Sequence, residues 1–260
     1  MQRVVAVVNQ KGGVGKTTTV INLGAALAAN DETVLAVDLD PQSNCSSGLG
    51  WAGGGATTYE VLEGAVPLAD AVVPTRFPHL DLLPARRDLV GAELELIAVA
   101  DRAERLRSAL ARAEDGHRWV LIDCPPSLGL LTVNALTAAD AVLIPVQCEY
   151  FALEGVSELM RTLERVRAAW NPELGIEGAL LTLFDERLSL AQQVVSEVRR
   201  FFGDRVFDTI IPRNVRLAEA PSFAQNILEY DLRSRGAQAY LALADEMLVR
   251  RRNYEARRAG

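Results

Sequence analysis

Residues 3–19 read Arg3-Val4-Val5-Ala6-Val7-Val8-Asn9-Gln10-Lys11-Gly12-Gly13-Val14-Gly15-Lys16-Thr17-Thr18-Thr19, and this stretch decides the fold. An apolar run leads into a glycine-rich turn, and helical patterning follows from Thr19 to about Ala29. Glycines let the backbone curl so that successive N–H groups face phosphate oxygens, and the helix behind presents its positive end. In that arrangement Lys16 reaches the β- and γ-phosphates and the Thr17 hydroxyl ligates magnesium. The chain departs twice from the G-x-x-x-x-G-K-[ST] pattern: Gln10 stands at the first glycine position, and Lys11 is an additional cation. A glycine-rich strand-to-helix turn also forms without any ligand. The flanking strand, the helix and both lysines together favour the phosphate reading.

Those two lysines are the chain's only ones. The other 25 of its 27 basic residues are arginine. An ammonium is a compact point charge that a guanidinium does not imitate, so the loop is where this sequence needs that chemistry.

Outward from the loop, the apolar runs 3–8, 34–37, 80–83, 119–122, 141–146, 179–184 and 206–211 read as strands. Several are apolar throughout, as parallel strands buried on both faces are. Helical patterns separate them. Leu153, Val156, Met160 and Leu163 fall at helix spacing, stopped by Asn171-Pro172. Ser189-x-x-Gln192 has the form of a capping box, followed by Val194, Val195, Val198 and Phe201, with Gly203 as the terminal cap. Such alternation predicts an α/β fold: a single doubly wound, mostly parallel sheet flanked by helices. Gly53-Gly54-Gly55 is too short for a linker and reads as a surface loop, so residues 1–260 are expected to form one domain. Residues 250–260 read as a basic, flexible tail.

The bulk composition excludes several classes. At 49% hydrophobic and 23% charged, the chain is neither disordered nor collagen-like. Cys45, Cys124 and Cys148 show no C-x-x-C spacing and there are only two histidines. This argues against a disulfide framework and against a zinc or iron–sulfur site within one chain. No signal-peptide pattern opens the chain and no apolar stretch is long enough to span a bilayer, so a cytoplasmic location is expected. Charge is uneven: residues 1–186 carry a net −11 and residues 187–260 a net +4. A basic C-terminal third fits an anionic partner, and fits equally well an arginine-rich solvated surface.

Further motifs carry a resemblance. Val37-Asp38-Leu39-Asp40-Pro41-Gln42, Leu121-Ile122-Asp123-Cys124-Pro125-Pro126-Ser127, Val146-Gln147-Cys148-Glu149-Tyr150-Phe151-Ala152-Leu153-Glu154-Gly155 and Ile211-Pro212-Arg213-Asn214-Val215-Arg216-Leu217-Ala218-Glu219-Ala220-Pro221-Ser222 occur in order after residues 9–19. Together they resemble the ParA/Soj partition ATPases, in the deviant Walker A group of P-loop NTPases that includes MinD and the nitrogenase iron protein.

The resemblance implies roles. ATP lies against Lys11, Gly12, Gly13, Val14, Gly15, Lys16, Thr17 and Thr18, with Pro212 and Asn214 at the base. Lys11 reaches across a nucleotide-sandwich homodimer to the partner's phosphates, where a charge supplied in trans stabilises phosphoryl transfer. Lys16 acts in its own subunit, and Gly12 sits where two loops face each other. Asp40 positions the attacking water; Thr17, Asp38 and Asp123 serve Mg2+, the aspartates through water. Either Asp38 or Asp40 could instead cap turn amides, as aspartates after strands often do. Glu149 and Glu154 resemble interface or switch residues.

For partners, the resemblance implies non-specific double-stranded DNA, with Arg187, Arg199, Arg200, Arg213, Arg216, Arg233 and Arg235 as candidate phosphate contacts. It further implies a ParB/Spo0J-type activator of slow intrinsic turnover, and a nucleoid-associated location. With the loop beginning nine residues in, no helix-turn-helix domain is expected ahead of it. The competing reading, a MinD-like membrane-positioning ATPase, needs an insertable amphipathic C-terminal helix. The segment 250–258 offers five arginines but only Tyr254 as a bulky apolar group, so stable membrane insertion is not expected. In a reductase like the nitrogenase iron protein, paired cysteines bridge a cluster, whereas Cys124 and Cys148 sit in contexts matching the partition ATPases.

Overall fold

The computed structural model describes residues 2–113, 116–150 and 152–259, without the side chains of Glu154, Tyr254 and residues 256–259. Seven strands form its sheet: β1 (Arg3–Val7), β2 (Val34–Asp38), β3 (Val73–Pro74), β4 (Leu80–Leu83), β5 (Trp119–Asp123), β6 (Ala141–Gln147) and β7 (Gly175–Thr182). Their order is β3-β4-β2-β5-β1-β6-β7, and every pairing is parallel except β3 with β4. The helices before β5 are α1 (Lys16–Ala28), α2 (Asn44–Gly48), α3 (Thr58–Glu63), α4 (Leu68–Ala71), α5 (Leu89–Glu95) and α6 (Arg105–Arg112). After it come α7 (Leu130–Ala138), α8 (Glu154–Ala169), α9 (Ser189–Phe202), α10 (Val215–Glu219), α11 (Ile227–Asp231) and α12 (Arg235–Ala259).

Strand residues divide by parity between two apolar layers. Val4, Ala6 and Val8 join the layer containing Leu131 of α7 and Leu159 of α8. Val5 and Val7 join the layer of Val20 and Leu23 from α1 with Tyr240 and Leu243 from α12. Both faces are therefore covered, which is why these strands lack polar alternation. The register sets Asp123 of β5 opposite both Val7 of β1 and Asp38 of β2. Three loops thus leave the sheet side by side at the strands' carboxyl ends, where open α/β sheets bind ligands.

Four expectations need correction. The run 206–211 is no strand, although Val206, Phe207 and Ile211 are buried. The Asp208 and Thr209 amides donate to Glu246 of α12 at 3.0 Å each. The segment meets β7 through the isolated bridge Ala179 to Val206 and two amide bonds, Phe207 to the Ala179 carbonyl at 3.0 Å and Ile211 to the Leu181 carbonyl at 2.9 Å. The Ser189 capping box does not form: Ser189 is the first helical residue of α9, Leu188 precedes it, and no side chain caps that end. Along α9, the residue that joins the buried stripe is Phe202 at 9% exposure, one step past Phe201 at 50%. Gly203 does end the helix, at φ 57°.

The flexible tail is the fourth. Residues 250–259 continue α12. Arg250 lies 4.2 Å over the Phe207 ring and pairs with Glu246, while Arg251 lies 5.0 Å over Trp119 and pairs with Glu255. Cation–π contacts and i,i+4 ion pairs hold the helix where composition suggested solvation. β3 carried no sequence signal; two residues ending in proline suit only an edge. Phe151 falls outside the described residues.

Candidate functional site

The site grows from the turn between β1 and α1. Gly13 (φ 75°) and Gly15 (φ 91°) adopt left-handed conformations that side chains disfavour, so the loop curls as its glycines predict. Gly15 is the N-cap of α1, and the Thr19 amide returns to its carbonyl at 2.9 Å to start the helix. Asn9, buried at the end of the β1 run, donates to the Pro145 carbonyl at 2.7 Å and accepts from the Lys11 amide at 3.0 Å.

Gly12, Gly13, Gly15, Lys16, Thr17 and Thr18 line a cavity of about 380 Å³ together with Asp40, Pro212 and Asn214. Loops after β1 and β2 and the segment beyond Ile211 thus meet around one space. Sequence reasoning missed several of its walls, among them Gln42, Asn44, Thr182, Leu183 and Tyr240. Gln42 closes the 37–42 motif and Thr182 lies within the run 179–184, but neither is predicted from sequence to be part of the site. Tyr240 arrives from α12, over 200 residues away, and meets Thr19 with its hydroxyl at 3.2 Å. Val14 is buried beneath the loop.

The two lysines part company. Lys16 is 7% exposed, and its Nζ donates to the Lys11 carbonyl at 3.2 Å. Burial lowers its pKa, and the carboxylates of Asp123 and Asp40 pull it back. Lys11 is exposed and is not among the residues lining the cavity.

The three aspartates differ just as clearly. Asp38 is fully buried, and its carboxylate accepts from the Asp40 amide at 3.0 Å, the Ser46 amide at 2.9 Å and the Ser46 hydroxyl at 2.6 Å. It serves the turn, as aspartates after strands do. Asp40 lines the cavity while one of its oxygens accepts from the Gln42 amide at 2.9 Å. Asp123 is fully buried, and neither of its oxygens has a hydrogen-bond partner among the described residues. Burial first, then the neighbouring Asp38 carboxyl, push its pKa well above the usual range; the Thr17 side chain and Lys16 oppose that.

A buried carboxylate whose oxygens accept no hydrogen bond is costly, and a cation held beside Lys16 and Thr17 would offset that cost. Thr17 and Asp123 thus fit a Mg2+ ion. No group of three or more His, Cys, Asp or Glu side chains among the described residues is arranged to hold a metal unaided. Magnesium commonly binds through one or two protein oxygens plus substrate phosphates and water, and this donor set suits that mode.

At the opposite end of the cavity, Asn214 caps α10 by accepting from the Arg216 amide at 2.8 Å. That bond engages its oxygen and leaves the two N–H groups of its amide as donors.

Of the arginines singled out, four are ion-paired: Arg187 with Asp185 (2.7 Å), Arg213 with Glu149 (2.7 Å), Arg216 with Glu219 (3.0 Å) and Arg235 with Glu186 (3.4 Å). Arg199, Arg200 and Arg233 are exposed, with no ion pair among the described residues. The side chain of Glu154 lies outside the description. No helix among the described residues is long and apolar enough to cross a membrane.

Comparison with known proteins agrees with this geometry. A family model described as an AAA domain matches residues 2–176. The chromosome partitioning protein ParA of Caulobacter vibrioides is 57% identical over 99% of this chain and 98% of its own length. The sporulation initiation inhibitor protein Soj of Bacillus subtilis is 51% identical over 95% and 98%. Cobyrinic acid a,c-diamide synthase of Mycobacterium smegmatis, solved with an ATP analogue and magnesium, matches with a TM-score of 0.83 at 41% identity, covering 95% of each chain. The chain belongs to the ParA/Soj family of partition ATPases.

Proposed function

We propose that ATP closes two copies of this chain into a nucleotide-sandwich dimer that binds double-stranded DNA without sequence preference. Hydrolysis, stimulated by a ParB-type partner, then releases the DNA. The observation that carries this reading is the separation of the two lysines. Lys16 is buried against its own loop, whereas Lys11 stands exposed outside its own cavity. A cation so placed is free to serve a second nucleotide, which makes hydrolysis conditional on the dimer.

In this scheme Lys16 and the amides of residues 12–18 hold the phosphates, and Pro212 and Asn214 hold the base. Bound Mg2+ would neutralise phosphate charge, with the Thr17 hydroxyl as its direct protein ligand and Asp123 acting through water. Asp38 is left out of that set, because the turn and Ser46 already use its oxygens. Asp40 orients the attacking water. Arg199, Arg200 and Arg233 are free to meet DNA phosphates; the four paired arginines would exchange a carboxylate for a phosphate. The protein is then nucleoid-associated in the cytoplasm while ATP is bound.

Binding of unrelated DNA fragments is the test, measured with ATP and with ADP across a salt series. Expected are ATP-dependent, sequence-independent binding and a linear fall of log K with log salt. A chain that ignores DNA in ATP but co-floats with anionic liposomes is instead a membrane-positioning ATPase.

A further inference from the structure

β7 ends in Thr182, and the two residues after it connect both ends of the nucleotide cavity. Thr182 is 2% exposed, and its hydroxyl donates to the Val14 carbonyl of the phosphate-binding loop at 2.8 Å. Its methyl carbon faces the same loop, 3.9 Å from where a Cβ on Gly15 would stand. Its own carbonyl accepts from the Cys148 amide at 3.1 Å, which anchors it to the end of β6. Leu183 follows at φ 52°, a left-handed conformation disfavoured for a side chain of its size. Phe184 then takes hold of the other end. Its amide donates to the Ile211 carbonyl at 3.1 Å, and its carbonyl accepts from the Arg213 amide at 2.8 Å. Thr182 and Leu183 both line the cavity.

Strained backbone persists only where its neighbours over-determine it, and here they do so on both sides. We propose that Thr182 is a positioning residue for the nucleotide. It fixes the turn at Val14 and Gly15, and the strained Leu183 turn sets that loop's distance from the base-binding segment 212–214. The reason is geometric. A loop that binds phosphate through backbone N–H groups must keep its peptide planes oriented, and the Val14 carbonyl is the plane that Thr182 grips. Losing the grip leaves a buried carbonyl unpaired and lets the loop sample other orientations before ATP arrives. This assignment needs neither dimerisation nor DNA.

Thr182→Val keeps the shape and loses the hydroxyl; Thr182→Ser keeps the hydroxyl. Two quantities decide: affinity for a fluorescent ATP analogue with Mg2+, and amide exchange of residues 12–18 without nucleotide. The Val variant is expected to bind about tenfold more weakly, with faster exchange confined to the loop. The Ser variant is expected to stay within about threefold of wild type, since it keeps the hydrogen bond. The proposal is overturned by a Val variant that matches wild type, by an affinity loss without faster loop exchange, or by a Ser variant that loses as much as Val. Should the Val variant fail to fold, Leu183→Gly decides alone, because it frees the turn without touching the loop. Weaker ATP binding at an unchanged unfolding midpoint supports the proposal; unchanged affinity overturns it.

Discussion

Among single residues, the site depends on groups that burial makes expensive. Lys16 is a nearly buried amine whose pKa desolvation lowers, with Asp123 and Asp40 opposing that shift. In the proposed site its further partners are phosphate oxygens. Lys16→Ala removes charge-assisted bonds worth about 3 kcal/mol together, so ATP affinity should fall about 100-fold or more. Calorimetric titration with ATP and Mg2+ checks this, and near-normal affinity would remove Lys16 from the phosphate site. Asp40 is just as buried but lines the cavity with its carboxylate already holding the Gln42 amide. Asp40→Ala should bind ATP within a few-fold of wild type yet turn it over roughly 100-fold more slowly, the lower end of what a positioned acid–base group supplies. Single-turnover phosphate release measures it, and a variant with normal turnover refutes the water-positioning role.

Between elements, β7 packs against the segment that follows α9 with little room to spare. Gly178 in β7 lies under the segment that follows α9. A Cβ there would stand 2.7 Å from the Arg205 carbonyl oxygen and 2.7 Å from the Phe207 ring. Backbone and a buried ring cannot both move aside. Gly178→Ala should therefore cost about 1–3 kcal/mol, lowering the thermal midpoint by roughly 2–4 °C per kcal/mol. Denaturant unfolding reads this directly, and an unchanged midpoint would mean that the segment 205–207 shifts freely. The same close approach explains why Val206, Phe207 and Ile211 are buried although the segment forms no strand. It is a cover along β7 whose amides at 208 and 209 are claimed by Glu246 of α12.

Across the whole molecule, the proposed DNA binding depends on where unpaired charge is left. Arg199 and Arg200 stand off the buried stripe of α9, while four other arginines of the candidate set are already paired. Arg199→Glu with Arg200→Glu should weaken DNA binding alike for all sequences and lower the salt slope by about two, one for each DNA phosphate no longer neutralised. ATP affinity of the double variant should match wild type. Filter binding across salt concentrations checks both, and an unaltered slope would move the DNA surface elsewhere. The C-terminal arginines are unsuitable candidates at their base, since Arg250 and Arg251 are spent on Phe207 and Trp119.

The order of residues is enough to specify the doubly wound sheet and the glycine-rich turn between β1 and α1. Glycines that need left-handed turns, strands apolar on both faces and two isolated lysines are local properties, legible wherever the chain goes. What each aspartate is for emerges only once the chain is folded. Asp38 and Asp123 end adjacent strands with similar patterning, but Ser46 folds back onto the first, and no hydrogen bond among the described residues satisfies the second. Folding also brings Thr182 and Tyr240 to the cavity and sets Arg250 and Arg251 over two aromatic rings. Hydrogen-bond partners and packing neighbours far apart in the chain are fixed by the register of the sheet, and no local pattern encodes them.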